Sequence, residues 1–271
     1  MIPFPRIIAK LEVKGENVVK GIHLEGVRPV GNPEELAKRY YDQGIDEIIY
    51  IDAVASLYGR NNLVHVVRAV SNHIFVPLTV GGGIRSLEDI RNLLRQGADK
   101  IAINSYAISN PSFIRECVKC FGSQCIVGSV HAKRTENGTW KALYNYGREI
   151  GGKDAVMWAC ELASLGVGEL LITSVDQDGT LNGFDLGLVK KISTQVPIPV
   201  VASGGGSSNE QILDVLVRGE ANAVALASGL HFNHNSVGNI KRYLKKCFSE
   251  QANSSLGDVD SEGLRFSHWK K

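Results

Sequence analysis

Apolar residues fall along this chain in short, nearly unbroken runs. They are RIIAKL from Arg6, EIIYID from Glu47, VPLTV from Val76, DKIAIN from Asp99, QCIVGSV from Gln124, GELLITS from Gly168, IPVVAS from Ile198 and NAVALAS from Asn222. Runs without polar alternation predict strands buried on both faces, as in a parallel sheet. Between them lie amphipathic helical stretches such as NPEELAKRYYDQG, SLEDIRNLLRQG and SNEQILDVLVRG. Each opens on an Asn or Ser able to cap a helix and closes on a Gly. Eight strands alternating with helices predict an α/β fold of the (βα)8 TIM-barrel type, with a doubly wound open sheet as the alternative.

An internal repeat favours the barrel. GGGIRSLEDIRNLLRQGADKIAINS begins at Gly81, and GGGSSNEQILDVLVRGEANAVALAS begins at Gly204. In that alignment Arg95 meets Arg218, Ala98 meets Ala221, Ala102 meets Ala225 and Ser105 meets Ser228. EIIYID also matches ELLITSVD, pairing Glu47 with Glu169 and Asp52 with Asp176. Two copies of a four-strand unit predict a barrel with a two-fold half-barrel repeat; the period is far too long for a stacked array. The pattern fades after Leu244. We therefore expect the barrel over 1–248 and a polar, frayed tail over 249–271, in which Phe266 and Trp269 offer a partner contact but a plain solvated tail is the favoured reading.

Composition changes this picture little. A chain of 271 residues suits one barrel of about 250 residues. The formal net charge is +2 and no basic stripe is present, which argues against nucleic acid as a partner. The apolar runs are strand-sized, so no membrane span is expected. The opening MIPFPRIIAKLEVKG lacks a leader pattern, which predicts a cytoplasmic protein. The five cysteines are irregularly spaced, and no disulfide framework follows. Cys117 and Cys120 form a C-x-x-C on a predicted helix with no second ligand pair, so they read as reduced thiols. No metal and no cofactor is expected.

The chemistry lies in the glycine triplets. Each follows a strand directly, where glycine permits a sharp turn and brings backbone N–H groups close to an anion. Ser203-Gly204-Gly205-Gly206 follows the seventh strand, and Ala227-Ser228 the eighth, where barrels often hold phosphate. Gly81-Gly82-Gly83 and Asn104-Ser105 are their equivalents in the first half. Two cradles at matched positions imply a small phosphorylated substrate with anionic groups at both ends.

The stretches VVKG, TVGGGI, GADK-x-x-IN, FGSQ, HAKR, GEL-x-x-TS, D-x-DGT-x-x-G-x-D and ASGG carry a resemblance over roughly Arg6 to Leu244. The chain resembles the cyclase subunits of imidazole glycerol phosphate synthase, in which ammonia from a glutaminase travels through the barrel to a bis-phosphate at the top. The resemblance implies phosphate binding by Gly83, Asn104 and Ser105 at one end. It implies Asp178, Gly179, Ser203, Gly205, Ala227 and Ser228 at the other. Lys20 matches a lysine on a mobile first loop, and Asp52 and Asp176 match substrate-site aspartates. It implies an ammonia gate of Arg6, Glu47, Lys100 and Glu169 at the barrel bottom, and a class I glutaminase partner facing Asp99 and Gln124.

One departure stands out. The catalytic pair of that family is two aspartates, and the matching positions here are Glu12 and His131. Glutamate sets its carboxylate one methylene further out, and a misplacement of about 1 Å costs on the order of 100-fold. Histidine shuttles protons but differs in charge and donor pattern. VVKGIHLEGVR is similar to a branch that works with a glutaminase and a sugar amidotransferase to make acetamidino groups on surface polysaccharides. The expectation is therefore a subunit supplying ammonia to a phosphorylated or sugar acceptor. The alternatives are an ordinary histidine-pathway cyclase and a non-catalytic ammonia conduit.

Overall fold

The computed structural model describes residues 4–55 and 63–254. Its strands are β1 (Arg6–Lys14), β2 (Asn17–Ile22), β3 (Glu25–Gly31), β4 (Glu47–Asp52), β5 (Leu78–Gly81), β6 (Lys100–Ile103), β7 (Ile126–Arg134), β8 (Trp140–Tyr144), β9 (Glu149–Asp154), β10 (Glu169–Ser174), β11 (Val200–Ser203) and β12 (Ala223–Leu226). Eight of them run parallel in the cyclic order β1, β4, β5, β6, β7, β10, β11, β12, and β12 pairs back with β1. The fold is a closed (βα)8 barrel, as the alternation and the repeat predict.

Strand burial follows from closure. Every residue of β4 and β10 is buried, because one face meets the helices and the other the barrel interior. Along β1 the two-residue period sorts side chains cleanly. Ile7, Ala9, Leu11 and Val13 pack outward with the helices, while Ile8 joins Ile49, Val127, Leu171 and Val201 inside. Helix starts are capped as expected. Asn32 Oδ1 accepts from the Glu34 amide at 2.8 Å, and Ser86 and Ser208 each close a capping box, with Asp89 and Gln211.

The sequence reading missed two antiparallel hairpins. β2–β3 extends β1, and β8–β9 extends β7, so they stand at matching places in the two halves. Their turns place His23 and Leu24 at φ 54° and 63°, and Asn145 and Tyr146 at 50° and 58°. Each turn sets Leu or Tyr where glycine usually stands, which is why the pattern hid them. Lys20, expected on a mobile loop, instead lies in β2, paired with Arg28 and buried.

The helix Val237–Ser254 spans the boundary drawn at 248; Phe266 and Trp269 lie outside the described residues. Cys117 is buried on the helix Pro111–Phe121 and Cys120 is exposed on it; all five cysteines are free. Among the described residues no helix is long and apolar enough to cross a membrane.

Candidate functional site

Four charged side chains close the bottom of the barrel. Arg6 Nη1 lies 2.7 Å from Glu47 Oε2, and Arg6 also pairs with Glu169. Lys100 Nζ lies 3.0 Å from both Glu47 Oε2 and Glu169 Oε2. Charges alternate around the ring, and Thr79 Oγ1 donates to Glu47 Oε1 at 2.6 Å. Each buried carboxylate is thus paired twice, which is what burial of a charge demands. Above this ring the interior is apolar, lined by Ile8, Ile49, Val127, Leu171 and Val201.

Above that layer sits a second charged group. Lys10 and Glu12 follow Arg6 and Ile8 on the inward face of β1. Glu12 Oε1 is 2.9 Å from Lys10 Nζ and Glu12 Oε2 is 2.7 Å from Lys20 Nζ. Lys20 also pairs with Asp178, and Lys10 Nζ is 3.5 Å from Ser203 Oγ. The four charges balance. Burial alone would raise the Glu12 carboxyl, but the Lys10 and Lys20 ammonium groups outweigh it and hold its pKa well below the usual range. Burial likewise works against the Lys20 charge, and Glu12 and Asp178 outweigh that, raising its pKa. Glu12 is therefore a fixed anion near neutral pH rather than a group poised to take a proton.

The glycine turns form cradles at the opposite end. Gly82 and Gly83 have φ 107° and 71°, and Gly204 and Gly205 have φ 98° and 95°, the left-handed region that disfavours a side chain. A Cβ on Gly205 would lie 2.0 Å from the Gly183 carbonyl. The first cradle opens on a cavity of ≈ 50 Å³ whose walls include Asp52, Gly83, Asn104, Ser105 and His131. Lys20, Asp178, Gly179, Ser203, Gly205, Ala227 and Ser228 share a second cavity of ≈ 10 Å³. The expected phosphate residues thus gather into two groups. Asp176 joins neither; its carboxylate accepts from the Arg134 amide at 2.7 Å and ties β7 to the loop after β10. Asp52 borders the first cavity while its Oδ1 accepts from the Val54 and Ala55 amides at 2.9 and 2.8 Å.

The hairpins roof both cradles. The His23 amide donates to the Asp178 carbonyl at 2.8 Å, docking β2–β3 on the second cradle. The Asn145 amide donates to Ser105 Oγ at 2.9 Å, docking β8–β9 on the first. The roofs touch: a Cβ on Gly147 would lie 2.7 Å from Leu24 Cδ1. His131 sits beneath, with Nδ1 buried and unpartnered. Burial, then the nearby Lys10 charge, push its pKa down to about 3, so the ring is neutral at neutral pH.

Two site residues escaped the sequence reading. Lys10 was available to it, since the period of a strand puts it on the same face as Glu12. Tyr146 was not, because only the β8–β9 turn carries it to the first cavity. At the barrel bottom Asp99 and Gln124 are exposed, but Asp99 Oδ2 accepts from the Leu78 amide at 2.8 Å and so also fastens β5.

Comparisons with known proteins agree with this geometry. The family described as "Histidine biosynthesis protein" matches residues 6–236. Among curated proteins, the chain is similar to the imidazole glycerol phosphate synthase subunit HisF of Legionella pneumophila. The two are 55% identical over 206 residues, which cover 76% of this chain and 97% of that protein.

Proposed function

The chain belongs to the histidine biosynthesis protein family, and from that premise we propose that it is a HisF-like, ammonia-accepting subunit of the imidazole glycerol phosphate synthase type. A class I glutaminase docks at the barrel bottom and releases ammonia at the ring of Arg6, Glu47, Lys100 and Glu169. The ammonia passes the apolar interior and meets a substrate whose phosphates lie in the two cradles. One observation carries this reading: the charged ring at one end and two glycine cradles at the other stand on a single barrel, separated by an apolar layer. A depression of ≈ 970 Å³ on the bottom face, lined by Phe75, Pro77, Arg95 and Asp99, supports the docking.

At the top, Lys20 and the N–H groups of the turns bind and orient the anion. Glu12, held ionised, stabilises positive charge that develops where ammonia adds. Neutral His131, with one donor and one acceptor nitrogen, orients the substrate on the first-cradle side. The hairpin roofs exclude water.

The histidine-pathway acceptor is the reading the comparisons support best. The expectation of an acetamidino-sugar acceptor, with a sugar amidotransferase as third partner, finds no support there. One observation favours it as a second reading: the place of the catalytic aspartate pair is taken by a lysine-locked Glu12 and a neutral His131. Turnover of the histidine-pathway bis-phosphate with ammonium salt separates the two. Cyclisation at the usual pace of such enzymes, on the order of 1–10³ per second, upholds the first reading. Tight binding of the bis-phosphate without turnover shifts the assignment to another acceptor, and absence of binding removes both.

A further inference from the structure

Lys10 is a buried charged group to which the proposed chemistry gives no task. Its side chain is 2% exposed and lies inside the barrel, on the inward face of β1. Taking an ammonium out of water is costly, and pairing only offsets that cost. An apolar side chain would fill the same place without it. Lysines buried in this way serve elsewhere as nucleophiles toward carbonyl carbon, often beside a second cation. Lys20 is that second cation here, since both lysines share the Glu12 carboxylate, at 2.9 and 2.7 Å.

Lys10 also stands where two approaches meet. Seen from the barrel bottom, it is the next inward residue on β1 after Ile8, which belongs to the apolar layer. On the upper side, its Nζ lies 3.5 Å from Ser203 Oγ. Ser203 lines the second cavity together with Lys20, Asp178, Gly205 and Ser228. Ammonia that passes the apolar layer and a substrate anchored by its phosphate in the second cradle therefore converge on this nitrogen.

We propose that Lys10 is a nucleophilic catalyst: it forms an imine with the carbonyl of a phosphorylated ketone seated in the second cradle and then yields that carbon to ammonia. The proposal rests on the ammonia-accepting reading and names a covalent step within it. First, the Lys10 ammonium and the ketone give a protonated imine and water. The N–C bond forms, the C–O bond breaks, and two of the three nitrogen protons leave with the oxygen. Ammonia then adds to the iminium carbon and the Lys10 nitrogen departs, giving the free ketimine and the Lys10 ammonium. Each step conserves the single positive charge, and nothing is oxidised or reduced. The covalent route replaces one difficult addition by two easier ones, because a protonated imine is a better electrophile than a ketone. Ser203 Oγ is placed to relay a proton to the departing oxygen, and the Glu12 carboxylate to offset the iminium charge.

Imine trapping on the whole chain tests this. The probe is dihydroxyacetone phosphate, with sodium cyanoborohydride to fix the imine as a secondary amine and peptide mass spectrometry to locate it. Wild type should carry the adduct on Lys10. Dihydroxyacetone, which lacks the phosphate, should label Lys10 about ten-fold less, and excess inorganic phosphate should suppress labelling to a similar degree. Ammonium chloride should suppress it at fixed pH where equal potassium chloride does not, because ammonia releases the imine. Lys10→Arg keeps the charge and should lose the adduct while inorganic phosphate still shifts the Ala227 and Ser228 amides in NMR spectra. An adduct confined to Lys20 or to surface lysines, or none at all, overturns the proposal. So does a Lys10 adduct that ammonium leaves untouched. If phosphate shifts those amides in wild type and Lys10 stays unlabelled, the imine falls alone; if phosphate leaves them unperturbed, the cradle reading falls with it.

Discussion

Lys10 and Glu12 stand two residues apart on β1, both directed into the barrel, with Nζ and Oε1 2.9 Å apart. The pair converts the most conspicuous sequence departure into a different kind of site. A glutamate at this place is not simply a longer aspartate; it bridges Lys10 and Lys20 and so links the barrel wall to the second cradle.

Removing Lys10 should therefore act on binding as well as on stability. Lys10→Met leaves Glu12 with Lys20 alone and gives the buried group a net negative charge. Urea unfolding should show a loss of about 1–3 kcal/mol. Phosphate should weaken several-fold at the second cradle and less at the first. Equal phosphate affinity in wild type and variant would show that the tetrad does not set the potential at the mouth.

Acid should unfold the protein through its buried imidazoles. His131 and His231 are held neutral, with pKa pushed down to about 3 and about 4, in both cases chiefly by burial. In the unfolded chain both titrate near 6.5. Below that pH the unfolded state binds protons that the folded state refuses, so stability falls as pH drops from about 6.5 toward 4. Equilibrium unfolding between pH 7 and 4 should show this decline. His131→Gln should flatten it by about one proton; an unchanged slope would mean that His131 is solvated in solution.

Glu47 is the hub of the bottom ring, receiving Arg6, Lys100 and Thr79. Glu47→Ala leaves Arg6 and Lys100 to share Glu169 alone and should cost about 3–5 kcal/mol. In complex with the glutaminase, ammonia should then escape into solvent, so that glutamine is consumed faster than product forms. A ratio of one to one in the variant would exclude the ring from the ammonia route.

Asp99 does two jobs, and one substitution separates them. Asn222 accepts from the Val200 amide at 2.8 Å with its amide oxygen, just as Asp99 accepts from Leu78. Asp99→Asn should accordingly preserve the bond and leave thermal stability within about 0.5 kcal/mol of wild type. Removal of the charge should still weaken the glutaminase complex about five-fold by surface plasmon resonance. Unaltered affinity would move the docking contact elsewhere on the bottom face, where Phe75 is 78% exposed.

Much was determined by the sequence alone. Unbroken apolar runs such as EIIYID specify parallel strands buried on both faces, and the repeat pairing Gly81 with Gly204 favours a closed barrel over an open sheet. The ring residues came from the family resemblance, and the strand pattern agreed with it, since Arg6, Glu47, Lys100 and Glu169 each open a strand. What only the tertiary structure decided lies in the loops and in the partners of each charge. In the hairpin turns Leu24 and Tyr146 adopt left-handed backbone that no local preference favours; contacts with the opposite roof and with the cradles hold the turns there. The state of Glu12 was likewise beyond reach of the sequence. A carboxylate's charge depends on what surrounds it, and its two lysines come from different strands, one of them folded back over the mouth.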